Sequence, residues 1–176
     1  FRLLKEQAPK AGYSIIDDAQ RLAIIKETIV LSGIARKDAG TKPEIVCEHI
    51  ISAKQQILSP SDNLNEVCGS LDSAAFSCVY AAYQKLLQTR HLFDYEDLIF
   101  HVVKHLEGDP EFLNTCRVRF PYLFVDEYQD LNLGQYRIIK ALAPADGNIF
   151  VIGDPDQAIY GFRGSEVADF QRFLDD

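Results

Sequence analysis

The sequence predicts an α/β chain, a mostly helical first half leading into part of a parallel β-sheet, and three observations support this. Apolar residues recur at helical spacing through most of residues 14–110. Two compact apolar runs follow, Tyr122–Val125 and residues 148–152, with a helical segment between them. A strand, helix, strand order with apolar strands is the pattern of parallel strands covered on both faces. The composition agrees: 176 residues, 47% hydrophobic and 25% charged, suit an ordinary globular chain long enough for one domain or two small ones. The predicted division is a helical subdomain over residues 1–92 and a sheet-bearing part over 93–176.

Taken in order, the first helix runs over residues 17–31, with Leu22, Ile25 and Ile29 on one face and Ser14 and Asp17 as candidate caps. Pro43 suits a first helical turn, and Ile45, Ile50, Ala53 and Ile57 form an apolar stripe up to Pro60. A third helix spans residues 72–90 through Phe76, Val79, Tyr80, Tyr83, Leu86 and Leu87. The polar stretches 37–42 and 59–70 read as loops. Stripes at this spacing read as core rather than binding surface. A fourth helix starts near Asp94, with Glu96 and Asp97 favouring the positive end of its dipole, and continues through Leu98, Ile99, Val102, Val103 and Leu106. A short helix follows Pro110. Residues 135–143 carry helical spacing in Tyr136, Ile139 and Ala143, and residues 165–174 read as a capped amphipathic helix.

Charge and cysteine content narrow the function classes. The net charge of −8 argues against a plain nucleic-acid binder, but its distribution is uneven. Residues 1–90 carry 11 basic and 10 acidic side chains, whereas residues 91–176 carry 7 and 16. Acid gathered around the apolar runs fits a metal–phosphate site as well as it fits a solvated surface. Cys47, Cys68, Cys78 and Cys116 are scattered, with no pair at zinc spacing, and read as free thiols of a reducing, cytoplasmic compartment. The four histidines form no cluster. No apolar run approaches the ~20 residues of a membrane span, so no membrane partner is expected. The chain opens on Phe1 and contains no Met, which reads as a piece of something longer or a processed chain.

In an open parallel sheet, ligands bind at the carboxyl ends of strands. Both apolar runs end in acid there: Asp126-Glu127 after the first, Asp154-Pro155-Asp156-Gln157 after the second. Adjacent acids at a strand end can divide labour. One holds a hydrated Mg²⁺, which needs only one or two carboxylates besides waters and phosphate oxygens. The other orients or deprotonates the water that attacks a γ-phosphate. As an isolated dipeptide, Asp-Glu would read as a capping or solvated pair.

The flanking residues strengthen the signal. Residues 122–130 read Y-L-F-V-D-E-Y-Q-D and residues 153–165 read G-D-P-D-Q-A-I-Y-G-F-R-G-S. The first resembles the Walker B element of the UvrD/Rep/PcrA superfamily 1 DNA helicases, and the second resembles their motif III. Residues 93–98, F-D-Y-E-D-L, are similar to the family's D-F-x-D-L element, while residues 12–17 and 51–54 look like its helical insert. The resemblance covers essentially the whole chain. It implies a P-loop NTPase (RecA-like) sheet portion preceded by the helical insert, with ATP and Mg²⁺ as cofactors.

By that resemblance Asp126 binds the magnesium of Mg–ATP, Glu127 activates the hydrolytic water, and Gln157 senses the γ-phosphate or that water. Tyr160 and Phe162 would face single-stranded DNA, where an aromatic ring stacks on any base for ~1–3 kcal/mol. Arg163 would pair with phosphate or neighbouring acids, and Tyr95, where the family usually has Phe, would be a further base contact. The family often has Trp where this chain has Phe162, which weakens that stacking surface. Plainer readings stand beside these. Asp130, Asp154 and Asp156 read as caps of turns and of the following helix, Tyr160 divides between core and DNA-facing, and Lys54 reads as a solvated lysine rather than a phosphate contact.

The sequence contains no G-x-x-x-x-G-K-[ST] run to cradle phosphates. By resemblance that run lies upstream of the helical insert and a second motor domain follows residue 176. The expected partners are therefore single-stranded DNA, single-strand/duplex junctions and the remaining motor domains of the parent chain. The 176-residue piece is expected to be inactive alone, and its uncovered sheet edge predicts self-association. The leading reading is part of a 3′-to-5′ DNA helicase. One alternative is a RecB- or AddA-like helicase–nuclease subunit, in which G-D-P-K-Q tends to replace the present G-D-P-D-Q. The other is a DNA-binding module without catalysis.

Overall fold

The computed structural model describes residues 12–32, 42–143 and 148–154. Its elements are β1 (Ser14–Ile15), α1 (Asp18–Leu31), α2 (Pro43–Gln55), α3 (Ser73–Thr89), β2 (Leu92–Phe93), α4 (Tyr95–Gly108), α5 (Pro110–Arg119), β3 (Tyr122–Val125), a short 3₁₀ turn (Tyr128–Asp130), α6 (Leu133–Leu142) and β4 (Asn148–Val151). The chain divides into two compact units, Phe1–Leu98 and Ile99–Asp176, with the boundary inside α4. The expected helix over residues 165–174 lies outside the described residues.

In the first unit each helix begins at a capping side chain or an opening proline. Asp17 accepts a hydrogen bond from the Gln20 amide, and the Gln20 side chain returns one to Asp17, closing a capping box on α1. Pro43 opens α2, where its missing N–H costs nothing. Asp72 accepts from the Ala75 amide at the start of α3. Faces of the three helices then meet in one core that holds Ile24, Ile25, Ile29, Val46, Ile50, Phe76, Val79, Tyr80, Tyr83 and Leu87. Full burial of each such side chain contributes about 1.5–3 kcal/mol.

Three sequence expectations need correction here. On α2, Val46 rather than Ile45 faces the core, and Ile45 is exposed. Ile57 is buried but lies beyond the helix at φ 60°, because α2 ends at Gln55. Ser14 caps nothing; it belongs to β1, which pairs in parallel with β2 (Ser14 opposite Leu92, Ile15 opposite Phe93). Tyr13 stacks on Phe93 at 4.3 Å beside that pair.

The largest correction concerns Lys54. Far from being solvated, it is buried at 1% exposure, with its Nζ donating to Asp94 Oδ2 at 2.5 Å and Asp97 Oδ1 at 2.7 Å. The Tyr83 hydroxyl donates to the same Asp94 oxygen at 2.8 Å. Asp94 and Asp97 also cap α4 reciprocally, each accepting from the other's backbone N–H. One ammonium thus faces two buried carboxylates, and their titrations split. Burial pushes Asp97 up to about 6, with Lys54 opposing and Asp94 adding to the rise. Burial also acts to raise Asp94, but the Lys54 charge and hydrogen bond, the Asp97 amide and the Tyr83 hydroxyl hold it below its ordinary value.

The second unit joins α4 beyond Leu98, α5, α6 and the parallel pair β3–β4, in register from Tyr122 opposite Asn148 to Val125 opposite Val151. Asp109 caps α5 through the Glu111 and Phe112 amides. A box between Asn132 and Gln135 caps α6. Arg117 of α5 donates twice to the Ala141 carbonyl near the end of α6. Between residues 110 and 151 the helices and the parallel strands agree with the sequence reading. The strands differ from it in cover, because Tyr122, Phe124, Phe150 and Ile152 are exposed along one side.

Removing the Lys54 charge strands two buried carboxylates, so Lys54→Met should lower stability by about 3–5 kcal/mol in urea unfolding. A pH series tests the Asp97 assignment. Asp97 holds its proton more tightly folded than unfolded, where 3.8 is its ordinary value. Its contribution is complete below that value and is lost as pH rises through about 6. Asp94 contributes with opposite sign only at lower pH. Wild type should therefore lose stability relative to Asp97→Asn as pH is raised from about 4 to about 6.

Candidate functional site

At the carboxyl end of β3 the ladder slips by one residue. Val125 lies opposite Val151, and the Ile152 amide donates to the Val125 carbonyl at 2.8 Å, as a regular parallel ladder requires. The next bond should run from the Glu127 amide to the Ile152 carbonyl. The Tyr128 amide makes that bond instead, at 3.0 Å. One extra residue is therefore accommodated in β3's extension, a bulge of the kind that re-aims side chains at functional edges.

Glu127 is the residue that absorbs the bulge. Its backbone is left-handed at φ 50°, a conformation that costs a non-glycine residue about 1–2 kcal/mol. Its displaced N–H is not lost but donates to Asp126 Oδ1 at 3.0 Å. Both acids are exposed. Behind them sits Gln129, buried at 5% exposure, whose Nε2 donates to Glu127 Oε2 at 2.6 Å. Gln129 Oε1 accepts from the Asp154 amide at 2.9 Å, just past β4. The structure thus brings Asp126, Glu127 and the Asp154 backbone together at one sheet edge.

The remaining candidates fall elsewhere. Tyr95 belongs to the first unit, at the first position of α4, and is 56% exposed. Asp156, Gln157, Tyr160, Phe162 and Arg163 lie outside the described residues. Asp130 does not cap the next helix, since Asn132 does. Gln129 carries no role in the sequence reading. Its position in D-E-Y-Q-D was visible, but its burial and its second bond depend on the approach of β4. Among the described residues no three His, Cys, Asp or Glu side chains group as a metal cage. An exposed carboxylate at a strand end nevertheless suits Mg²⁺, which keeps most of its waters and takes phosphate oxygens.

A pair of acids offered to solvent at the carboxyl edge of a parallel β-pair, in a chain otherwise rich in helix, is an α/β arrangement with a candidate site where open parallel sheets bind ligands. Residues 1–176 match the family model described as the UvrD/REP helicase N-terminal domain. The chain is 34% identical over 179 aligned residues to the ATP-dependent DNA helicase PcrA of Bacillus subtilis, which covers 99% of this chain. Proteins of the same name from Staphylococcus epidermidis and Staphylococcus aureus are 32% identical over the same share. The chain belongs to the UvrD/Rep helicase family, and it spans 24% of the length of these relatives.

The bulge makes a prediction about Glu127 that concerns only the backbone. A β-branched residue tolerates left-handed φ poorly and glycine tolerates it freely. Glu127→Val should be less stable than Glu127→Gly by about 1–2 kcal/mol in thermal or urea unfolding.

Proposed function

We propose that residues 1–176 form part of a DNA helicase motor that couples Mg–ATP hydrolysis to 3′-to-5′ movement along single-stranded DNA. In this reading residues 1–92 are a helical insert and residues 93–176 are the returning part of a RecA-like motor domain. The phosphate-cradling loop and the second motor domain belong to other parts of the parent polypeptide. The observation that carries the proposal is the bulge after β3, which exposes Asp126 and Glu127 side by side at the sheet's carboxyl edge. Membership of a helicase family, with relatives named ATP-dependent DNA helicase, supports the same conclusion.

Asp126 would hold Mg²⁺, which when bound would neutralise developing phosphate charge. Glu127 would take a proton from the attacking water as its oxygen bonds to the γ-phosphorus and the bond to the β–γ bridging oxygen breaks. ADP and phosphate result. With Oε2 held by the Gln129 amide, Oε1 is the oxygen left to accept that proton. Gln157 would sense the γ-phosphate, while Tyr160, Phe162, Arg163 and the exposed ring of Tyr95 would meet the DNA strand.

The exposed side of β3–β4 fits a sheet completed by further chain, since parallel sheets are normally covered on both faces. We accordingly expect residues 1–176 alone to self-associate and to lack turnover. The test uses the complete parent polypeptide. Its ATP turnover should rise with single-stranded DNA, and Glu127→Gln should reduce it by at least about a hundredfold, the lower end of what a positioned base contributes. A folded wild type without turnover would leave a non-catalytic DNA-binding module as the better reading.

A further inference from the structure

We propose that Gln129 is a positioning residue that fixes the Glu127 carboxylate and ties it to the backbone leaving β4, so that the two move as one. The inference rests on the hydrolytic role proposed for Glu127. Gln129 lies in the turn Tyr128–Asp130 and is buried, although both neighbours it serves are at an exposed edge. Its amide is used at both ends: Nε2 donates to Glu127 Oε2 at 2.6 Å, and Oε1 accepts from the Asp154 N–H at 2.9 Å.

The chemistry of these partners leaves one orientation. A flipped amide would set its NH₂ against the Asp154 N–H and its oxygen against a carboxylate, losing both bonds. Burial removes the water that would otherwise replace either bond. Glu127 itself is on a left-handed residue outside the regular ladder, so no backbone pairing of its own fixes it against β4. The Gln129 bridge supplies that registration. The segment that begins at Asp154 is the one to which the family resemblance assigns nucleotide sensing and DNA contact. A displacement of that segment would therefore reach the Glu127 carboxylate through one side chain.

Three variants of the complete parent polypeptide separate the possibilities: Gln129→Leu, which loses both bonds, Gln129→Glu, which keeps the acceptor for Asp154 but sets a carboxylate against Glu127, and Glu127→Gln. Both Gln129 variants should lower kcat for ATP by about tenfold or more, since a misplaced catalytic group costs that much, while KM for ATP changes by less than about twofold. Stimulation of turnover by single-stranded DNA should shrink in Gln129→Leu and persist in Gln129→Glu. In a Glu127→Gln background, Gln129→Glu should cause no further loss of turnover, as expected for a residue that acts through Glu127. A merely structural role would make the losses multiply and would move KM with kcat. Wild-type kcat and stimulation in Gln129→Leu, beside an inactive Glu127→Gln, would overturn the positioning role and leave the hydrolytic reading intact. Full turnover in Glu127→Gln would overturn both.

Discussion

A lysine ammonium sealed from water must be matched by charge, because an uncompensated buried ion costs several kcal/mol. Lys54 therefore constrains the whole first unit. The C-terminal turn of α2 can bury it only if the first turn of α4 delivers Asp94 and Asp97, and Tyr83 of α3 completes the set by bonding Asp94. The same two aspartates exchange bonds with each other's backbone to start α4. Helix initiation, packing of three helices and charge balance are one event. Apolar packing alone would tolerate slippage between α2 and α4; short directional bonds to a single Nζ do not. Tyr95 gains its exposed place from this arrangement, since it follows a residue that is locked inward.

The second unit is governed by backbone pairing instead. β3 and β4 match residue for residue until Val125 and Val151, and the irregularity that follows shapes the candidate site. A regular continuation would have spent the Glu127 N–H on Ile152. The bulge redirects that N–H to the Asp126 carboxylate and hands the ladder bond to Tyr128. Two acids thereby come to lie side by side and exposed at the edge. The cost is a non-glycine residue at positive φ, which is the kind of local strain found where a side chain has to be held in a particular place.

Much of this architecture was legible because it rests on local rules. The cap Asp17, the opening prolines Pro43 and Pro110 and the apolar runs of β3 and β4 sit within a few residues of what they control. What escaped notice was decided by distant partners. Lys54 has the composition of a surface residue, and only the return of the chain forty residues later buries it. Ile45 and Val46 are equally apolar, so the small difference between their helical positions was settled by where α1 and α3 lie. β1 and β2 are two residues each, too short for periodicity to show. At the site, the pair Asp126-Glu127 was readable as a motif, but the left-handed turn was not. Glutamate at φ 50° contradicts its own preference, and nothing in the neighbouring residues announces a bulge. Gln129 was hidden for the same reason as Lys54: its second partner, Asp154, arrives from another strand.

The β1–β2 pair has a consequence for the order of events during synthesis. Ser14 and Ile15 emerge before α1, and their partners Leu92 and Phe93 emerge only after α1, α2 and α3 have been made. The helices can form within microseconds of appearing, whereas closing so long a loop has to wait for its far end. At ribosomal rates of about 5–20 residues per second, the nascent first unit spends several seconds with its helices made and its seam open. During that interval Lys54 also lacks its counter-charges, because Asp94 and Asp97 follow β2 directly. The seam and the ion cluster therefore close together, which makes the arrival of residues 92–97 the moment at which the nascent unit commits to its native topology.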